Sequence, residues 1–150
     1  MREVDRLMGF DFRTCHMESE EREGLLRGLK RLLEGVGGIV FAYAHGGFVE
    51  LDEFRDVDAA LWVKDPEDAF SYAVDLSARL EAGVGVPVDV HVLNDAPLSF
   101  KCHVFTEGEL LLSADDEFRV RMLDETLRRY FDVKELNRAA VKPGSFNERR

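Results

Sequence analysis

Three aspartates have the spacing most suggestive of chemistry. Asp56 and Asp58 begin the apolar segment 57–63, and Asp89 lies in the alternating segment PVDVHVL at 87–93. Side chains two residues apart in a strand share a face, so Asp89 on a neighbouring strand would complete a carboxylate cluster. Crowded carboxylates repel one another unless divalent cations bind their oxygens, and Mg²⁺ commonly binds carboxylates together with substrate phosphates. The pattern predicts metal-dependent phosphoryl or nucleotidyl transfer, although an Asp-x-Asp at a strand start also occurs as solvated charge.

Two histidines lie close to these aspartates in the expected fold. His45 precedes the glycine pair Gly46-Gly47, and His91 shares a strand face with Asp89. Imidazole and carboxylate ligands together suit Zn²⁺ or Mn²⁺ better than Mg²⁺. His45 and His91 are therefore alternative metal ligands, and the competing interpretation is that both are ordinary hydrogen-bonded side chains.

The elements that must position these residues alternate between helical and strand periods. The spacing of Leu25, Leu29 and Leu33 predicts an amphipathic helix that ends near Gly37. Short apolar runs predict paired strands at 39–44 and 57–63, a third strand at 87–93 and a brief fourth strand at 110–112. A second helix is expected from Asp65 to about Gly83, with one face formed by Phe70, Ala73, Val74, Ser77 and Leu80. Two more helices are expected, a short one within 97–106 and a long one over 118–136.

This order, helix-strand-strand-helix-strand-helix-strand-helix, predicts an α/β (α+β) fold with a small mixed sheet flanked by helices. We assign residues 18–142 to one domain, 1–17 to an extension of unclear role, and 143–150 to a tail. The aromatic residues Trp62, Phe70 and Tyr72 are interpreted as packing residues and not as a base-stacking platform.

Composition narrows the classes of partner. The chain of 150 residues carries a formal net charge of -10, which disfavours binding to long nucleic acid but not to a small nucleotide or a basic protein. No apolar run is long enough for a membrane span, and the start MREVDRLMGFDFR lacks the apolar stretch of a secretory signal. We therefore expect a cytoplasmic protein with no membrane partner. A homo-oligomer is also compatible with the sequence.

The stretch from about Glu20 to Asn137 resembles the minimal nucleotidyltransferase (MNT) domains of the DNA polymerase beta-like superfamily, found beside HEPN-domain toxins. Members carry G-S, ten residues, D-x-D and a later third aspartate. Here Ala44 and His45 stand at the G-S positions, Asp56-Val57-Asp58 supplies D-x-D in register, and Asp89 in VDVHVLNDAP matches the third carboxylate.

The resemblance implies that AMP is transferred from ATP, with Mg²⁺ or Mn²⁺, to an acceptor hydroxyl such as a tyrosine of a HEPN toxin. Asp56, Asp58 and Asp89 would be the catalytic and metal-binding residues, with Asp89 also a candidate general base. The nucleotide would contact Ala44, His45, Gly46, Gly47 and Arg55.

The chain departs from the family pattern at the phosphate-binding end. Ala44 and His45 replace the glycine and serine, so Gly46-Gly47 would have to supply the tight turn that faces an anion. Arg55 would bind a phosphate or pair with Asp56 or Asp58. The alternative hypothesis is a catalytically degenerate member of the fold that acts as a partner-binding protein or antitoxin.

Overall fold

The structure is a computed structural model that describes residues 15–50 and 53–140. The predicted tail 143–150 and most of the predicted extension 1–17 lie outside the described residues. No helix in the described part of the chain is long and apolar enough to cross a membrane.

Six strands and five helical segments follow one another in the described part of the chain. The strands are β1 (Cys15–His16), β2 (Ile39–His45), β3 (Glu53–Phe54), β4 (Val57–Val63), β5 (Val88–Val92) and β6 (Glu109–Ser113). The helices are α1 (Ser19–Glu34), α2 (Gly47–Glu50), the irregular helical run α3 (66–84), α4 (Leu98–Glu107) and α5 (Asp116–Ala140).

The central sheet has four strands in the order β5-β4-β2-β6. Strand β2 pairs antiparallel with β4 and β6, whereas β4 and β5 are parallel. The predicted mixed sheet, its flanking helices and the pairing of the first two predicted strands are therefore confirmed. The ladder between β1 and β3 is a separate two-stranded sheet that we did not predict, because strands of two residues have no alternation to detect.

Each face of the sheet is covered by a different pair of helical segments. Leucines of α1 and α3 pack with Ala42, Ala44 and Ala59 on one face. On the other face, α4 and α5 cover a cluster that we call the aromatic layer, formed by Phe41, Tyr43, Trp62, Phe105 and Phe118. Alternation along β2 and β4 sends successive side chains into these two layers.

The helix expected from Asp65 to about Gly83 is present, but the predicted single face is wrong. The run α3 consists of a 3₁₀ turn (Pro66–Asp68), an α-helical turn (Ala69–Ser71), a π-helical segment (Tyr72–Leu76) and an α-helix (Ser77–Val84). Phe70 is 82% exposed and Val74 is 52% exposed, whereas Leu76 and Leu80 are buried. The wider π-helical turn changes which positions face the core, so a spacing based on 3.6 residues fails there.

Candidate functional site

The strand register aligns three polar side chains across the sheet. His45 at the end of β2 lies opposite Asp58 on β4, and Asp58 lies opposite Asp89 on β5. His45 follows Phe41 and Tyr43 in the alternation of β2, and Asp58 precedes Trp62 in that of β4, so this row shares its sheet face with the aromatic layer.

His91 completes a compact group with two of the aspartates. Its Nε2 lies 3.2 Å from Asp89 Oδ2 and 3.6 Å from Asp58 Oδ1. One ligand atom from each of Asp58, Asp89 and His91 lies within 4.8 Å of the other two. We call these three residues the carboxylate–histidine group, and their spacing fits side chains that share one cation.

Electrostatics within this group favour positive charge. The polar contact with Asp58 raises the pKa of His91, and the charge of Asp89 raises it further against the opposing effect of burial. The Asp58 side chain is 20% exposed and that of Asp89 is 57% exposed. Solvent screens the charge of Asp89 more strongly.

Asp56 lies at the bend before β4, outside the carboxylate–histidine group. Burial raises its pKa, and the charges of Asp58 and Asp89 raise it further. Asp56 therefore contributes to the same negative field. Arg55, its neighbour in the chain, is exposed.

His45 is buried beside the group, with 5% of its surface exposed. Its ring centroid lies 5.5 Å from that of His91 and 5.3 Å from that of Phe100. Burial lowers the pKa of His45, so the neutral imidazole is favoured. Among the described residues, its Nε2 has no hydrogen-bond partner, which is costly for a buried polar atom.

At Gly46 the backbone approaches the Asp58 carboxylate closely. The φ of Gly46 is +77°, a left-handed conformation that favours glycine, and this residue lies directly after β2. A Cβ at this position would overlap Asp58 Oδ2. Gly47 then begins the short helix α2, whereas Ala44 is fully buried on the opposite face of the sheet.

An apolar cleft of about 560 Å³ opens beside His91, and sequence reasoning missed it. Its walls come from α3, β5 and the start of α4, and they include Phe70, Ala73, Val92, Pro97 and Phe100. No periodic pattern indicates it, because its walls come from separate elements of the chain. The exposed phenylalanine in an otherwise polar stretch is the signal in the sequence that could have indicated it.

Comparison with known proteins identifies the family. The polymerase beta nucleotidyltransferase family model matches residues 28–117, which is more than half of the chain. The chain belongs to this nucleotidyltransferase family. No curated protein matches it in sequence.

Solved toxin–antitoxin structures share the fold of this family member. A chain of the MntA-HepT complex is 19% identical with a TM-score of 0.57, and the match covers 82% of this chain and 94% of that chain. A toxin–antitoxin structure with AMP-PNP is 20% identical with a TM-score of 0.59, covering 83% and 94%. The complex of a tri-AMPylated Shewanella oneidensis HEPN toxin with its MNT antitoxin is 19% identical with a TM-score of 0.59, again covering 83% and 94%.

Proposed function

We propose that this family member transfers AMP from ATP to a hydroxyl group of a protein acceptor in a metal-dependent reaction. The observation that carries the proposal is the register of β2, β4 and β5, which gathers Asp58, Asp89 and His91 beside the turn at Gly46. Phosphate groups and the cations that accompany them need such a combination of carboxylates and closely approachable backbone.

The residues present fit a divalent cation. Two carboxylates and an imidazole offer three ligand atoms within 4.8 Å of one another. The ring of buried His45, whose Nε2 has no hydrogen-bond partner among the described residues, has its centroid 5.5 Å from that of His91. A cation bound there would neutralise phosphate charge and favour ionisation of the attacking hydroxyl. The imidazole ligand favours Mn²⁺ or Zn²⁺ over Mg²⁺, so we propose Mn²⁺ as the preferred ion of this chain.

Each residue of the site has a role that follows from its position. Asp58 at the centre of the row and Asp89 beside it would hold the cation, with His91 as the third ligand. Asp56 would complete the negative field and bind a second cation when ATP is present. Asp89, the more exposed of the two ligating carboxylates, is the candidate base for the acceptor hydroxyl.

The turn at Gly46 and Gly47 is the proposed site for the phosphates of ATP. Backbone N–H groups at such a turn attract anions, and the missing Cβ at Gly46 lets the backbone approach Asp58 closely. Arg55, exposed on the same connection between β2 and β4, would add positive charge for the phosphates.

The proposed acceptor is a tyrosine of a HEPN toxin. A complex of similar fold contains a tri-AMPylated HEPN toxin together with an MNT antitoxin, and another toxin–antitoxin structure contains AMP-PNP. By this analogy the present protein would act as an antitoxin. We propose a cytoplasmic location, because this activity requires ATP and an intracellular toxin.

The first test is calorimetric titration with ATP in the presence of Mg²⁺, Mn²⁺ or Zn²⁺. We expect Mn²⁺-dependent ATP binding that Asp58→Asn abolishes. Asp132→Asn is the matched control, since it makes the same charge change at an exposed position on α5 away from the site. Transfer of labelled AMP from ATP to a co-expressed HEPN protein should follow the same pattern. ATP binding that is equal with and without metal would contradict the proposal.

A second candidate function is the binding of a protein partner without catalysis. It is favoured by one observation, the buried histidine at the family's serine position. His45 has little exposed surface from which to contact a phosphate. If the protein has no catalytic activity, the wild type and the Asp58→Asn variant should bind the protein partner equally well. If neither form bound ATP and both neutralised the toxin equally, this binding function would replace the enzymatic one.

A further inference from the structure

The cleft beside His91 lies on the opposite side of the carboxylate–histidine group from the turn at Gly46. Strand β4 carries Asp58 in the interior of the sheet, β2 on one side leads into Gly46, and β5 on the other side is the edge strand that borders the cleft. His91 connects the two regions, because its ring lines the cleft while its Nε2 contacts both Asp58 and Asp89.

This placement restricts what can occupy the cleft during phosphoryl transfer. The attacking oxygen and the leaving group lie roughly in line on opposite sides of the reacting phosphorus. If the phosphates of ATP extend from Asp58 towards the turn at Gly46, the leaving pyrophosphate departs on the β2 side. The acceptor must then approach from the β5 side, where the cleft lies.

Two outward N–H groups of β5 are already hydrogen-bonded, which disfavours an added strand and favours a side chain as the occupant of the cleft. The outward N–H of Val88 donates to Glu81 Oε1 at 3.1 Å, and that of Val90 donates to Ser77 Oγ at 3.2 Å. Strand addition requires unpaired backbone groups along an edge. Side chains of α3 already occupy these two, and the wall beside them remains apolar.

The shape and chemistry of the walls suit an aromatic ring. Phe100 and His91 are in edge contact with ring centroids 5.6 Å apart, and the exposed Phe70 stands on the opposite wall with Ala73. Aromatic rings pack favourably at such distances, and a phenol combines an apolar body with a polar tip. Ala73 belongs to the π-helical segment of α3, a type of irregularity that is frequent at functional sites.

The charge around the cleft indicates what should flank that ring. Asp95, which is exposed, directly precedes the cleft residue Ala96 in the chain, and Asp89 is 57% exposed beside His91. An acidic surround favours lysine or arginine on the incoming segment and disfavours a free triphosphate at this end.

We infer that this cleft is the acceptor subsite, which receives the aromatic ring of a tyrosine flanked by basic residues and places its hydroxyl beside Asp89. This inference rests on the proposed AMP transfer. In the step, the phenol proton passes to the Asp89 carboxylate and the phenol oxygen forms a bond to the α-phosphorus of ATP. The bond from that phosphorus to pyrophosphate breaks, and the pyrophosphate leaves with the electron pair.

The test uses the blocked peptide Lys-Arg-Tyr-Arg-Lys and its phenylalanine counterpart. Peptide binding is measured without ATP by NMR, ATP binding by calorimetry, and AMP transfer to the peptide from labelled ATP with Mn²⁺. We expect both peptides to bind but only the tyrosine peptide to accept AMP. Ala73→Trp, which fills the cleft, should weaken peptide binding and transfer at least about tenfold and leave ATP binding unchanged.

Two further variants keep the test decisive. Phe70→Ala removes a largely exposed wall residue without endangering the fold and should weaken peptide binding about three- to tenfold. Val74→Trp is the control, because Val74 is exposed on the same helical run and does not line the cleft.

The outcomes separate the acceptor subsite from the proposed activity. If Ala73→Trp abolished ATP binding instead, the cleft would hold the nucleobase and the inference would be overturned. Unchanged peptide binding in both Ala73→Trp and Phe70→Ala, or no binding of either peptide to the wild type, would also overturn it. If the wild type bound the peptide in the cleft but bound no ATP, the aromatic subsite would stand and the transfer activity would fail.

Discussion

The aromatic layer and the carboxylate–histidine group occupy one face of the same sheet under opposite physical constraints. Phe41 is fully buried, and the hydroxyl of Tyr43 accepts a hydrogen bond from Arg119 Nη1 at 2.9 Å. At the other end, two carboxylates approach one imidazole, and the Nε2 of buried His45 has no partner within residues 15–50 and 53–140. The first region is arranged for stability. The second carries uncompensated polarity, which is typical of sites that bind a charged ligand.

The largest effect is expected where the aromatic layer is broken. Phe41→Ala should lower the free energy of unfolding by about 3–5 kcal/mol, because it leaves a cavity among tightly packed rings. Chemical denaturation would measure the change, with Phe41→Leu as a control that retains most of the apolar volume. Folded Phe41→Ala should still bind Mn²⁺, and a loss below about 1 kcal/mol would contradict the assigned role of this layer.

Within the site, a substitution at Gly46 should have the largest effect on metal affinity. Gly46→Ala should lower Mn²⁺ affinity at least about tenfold, because the new Cβ displaces the Asp58 carboxylate. Gly85→Ala is a matched control: Gly85 has a φ of +76° but no atom near the position of a Cβ. Both variants should lose about 1 kcal/mol of stability from backbone strain. Equal Mn²⁺ affinity in the two variants would remove Gly46 from the site.

A smaller effect on stability is expected at the hydrogen-bonded hydroxyl of Tyr43 in the aromatic layer. Tyr43→Phe should lower the free energy of unfolding by about 1 kcal/mol, because Arg119 loses its hydrogen bond to the Tyr43 hydroxyl and keeps its ion pair with Asp116. Tyr130→Phe, which removes the hydroxyl of a less buried tyrosine on α5, serves as the control. Urea denaturation of the two variants would show no difference if the bond to Arg119 contributed nothing.

The contrast between these regions was only partly visible in the sequence. Alternation along β4 and β5 predicted a cluster of Asp56, Asp58 and Asp89 with His91 as an alternative ligand, because register and side-chain direction are linked in a strand. The structure brings Asp58, Asp89 and His91 together, whereas Asp56 lies at the bend before β4, outside this group. The orphaned atom of His45 was not predictable, since it depends on how Phe100 and His91 pack around the ring.

The helical run α3 shows where pattern reasoning fails for a physical reason. A 3.6-residue spacing grouped Phe70 and Val74 with Leu80, but the π-helical segment at Tyr72–Leu76 interrupts that spacing. Phe70 consequently faces the cleft and solvent. The π-helical segment that interrupts the regular spacing also contributes Ala73 to one wall of the proposed acceptor subsite.

The smallest predicted effect reverses the usual sign of a core substitution. His45→Leu should leave the metal-free protein equally stable or raise its stability by up to about 1 kcal/mol, because it removes an unsatisfied buried nitrogen. It should weaken Mn²⁺ binding at the same time if this imidazole supports the cation. Thermal denaturation in the presence of a chelator measures the stability of the apo state.

The pH dependence of this variant provides the sharper test. The folded-state pKa of His45 is lowered, chiefly by burial, so the unfolded chain binds its proton more readily. Above the unfolded pKa of about 6.5, His45 is neutral in both states and its titration does not change the free energy of unfolding. As the pH falls through that value towards the folded pKa, the unfolded chain binds a proton that the folded protein does not, so stability is lost. Asp58 and Asp89 oppose the shift, while His91 and His103 reinforce it. The advantage of His45→Leu over the wild type should therefore grow from pH 8 to pH 5.5. An advantage that shrank as the pH fell would mean that His45 is protonated in the folded protein, and that the two ends of this sheet face differ less than their hydrogen bonding indicates.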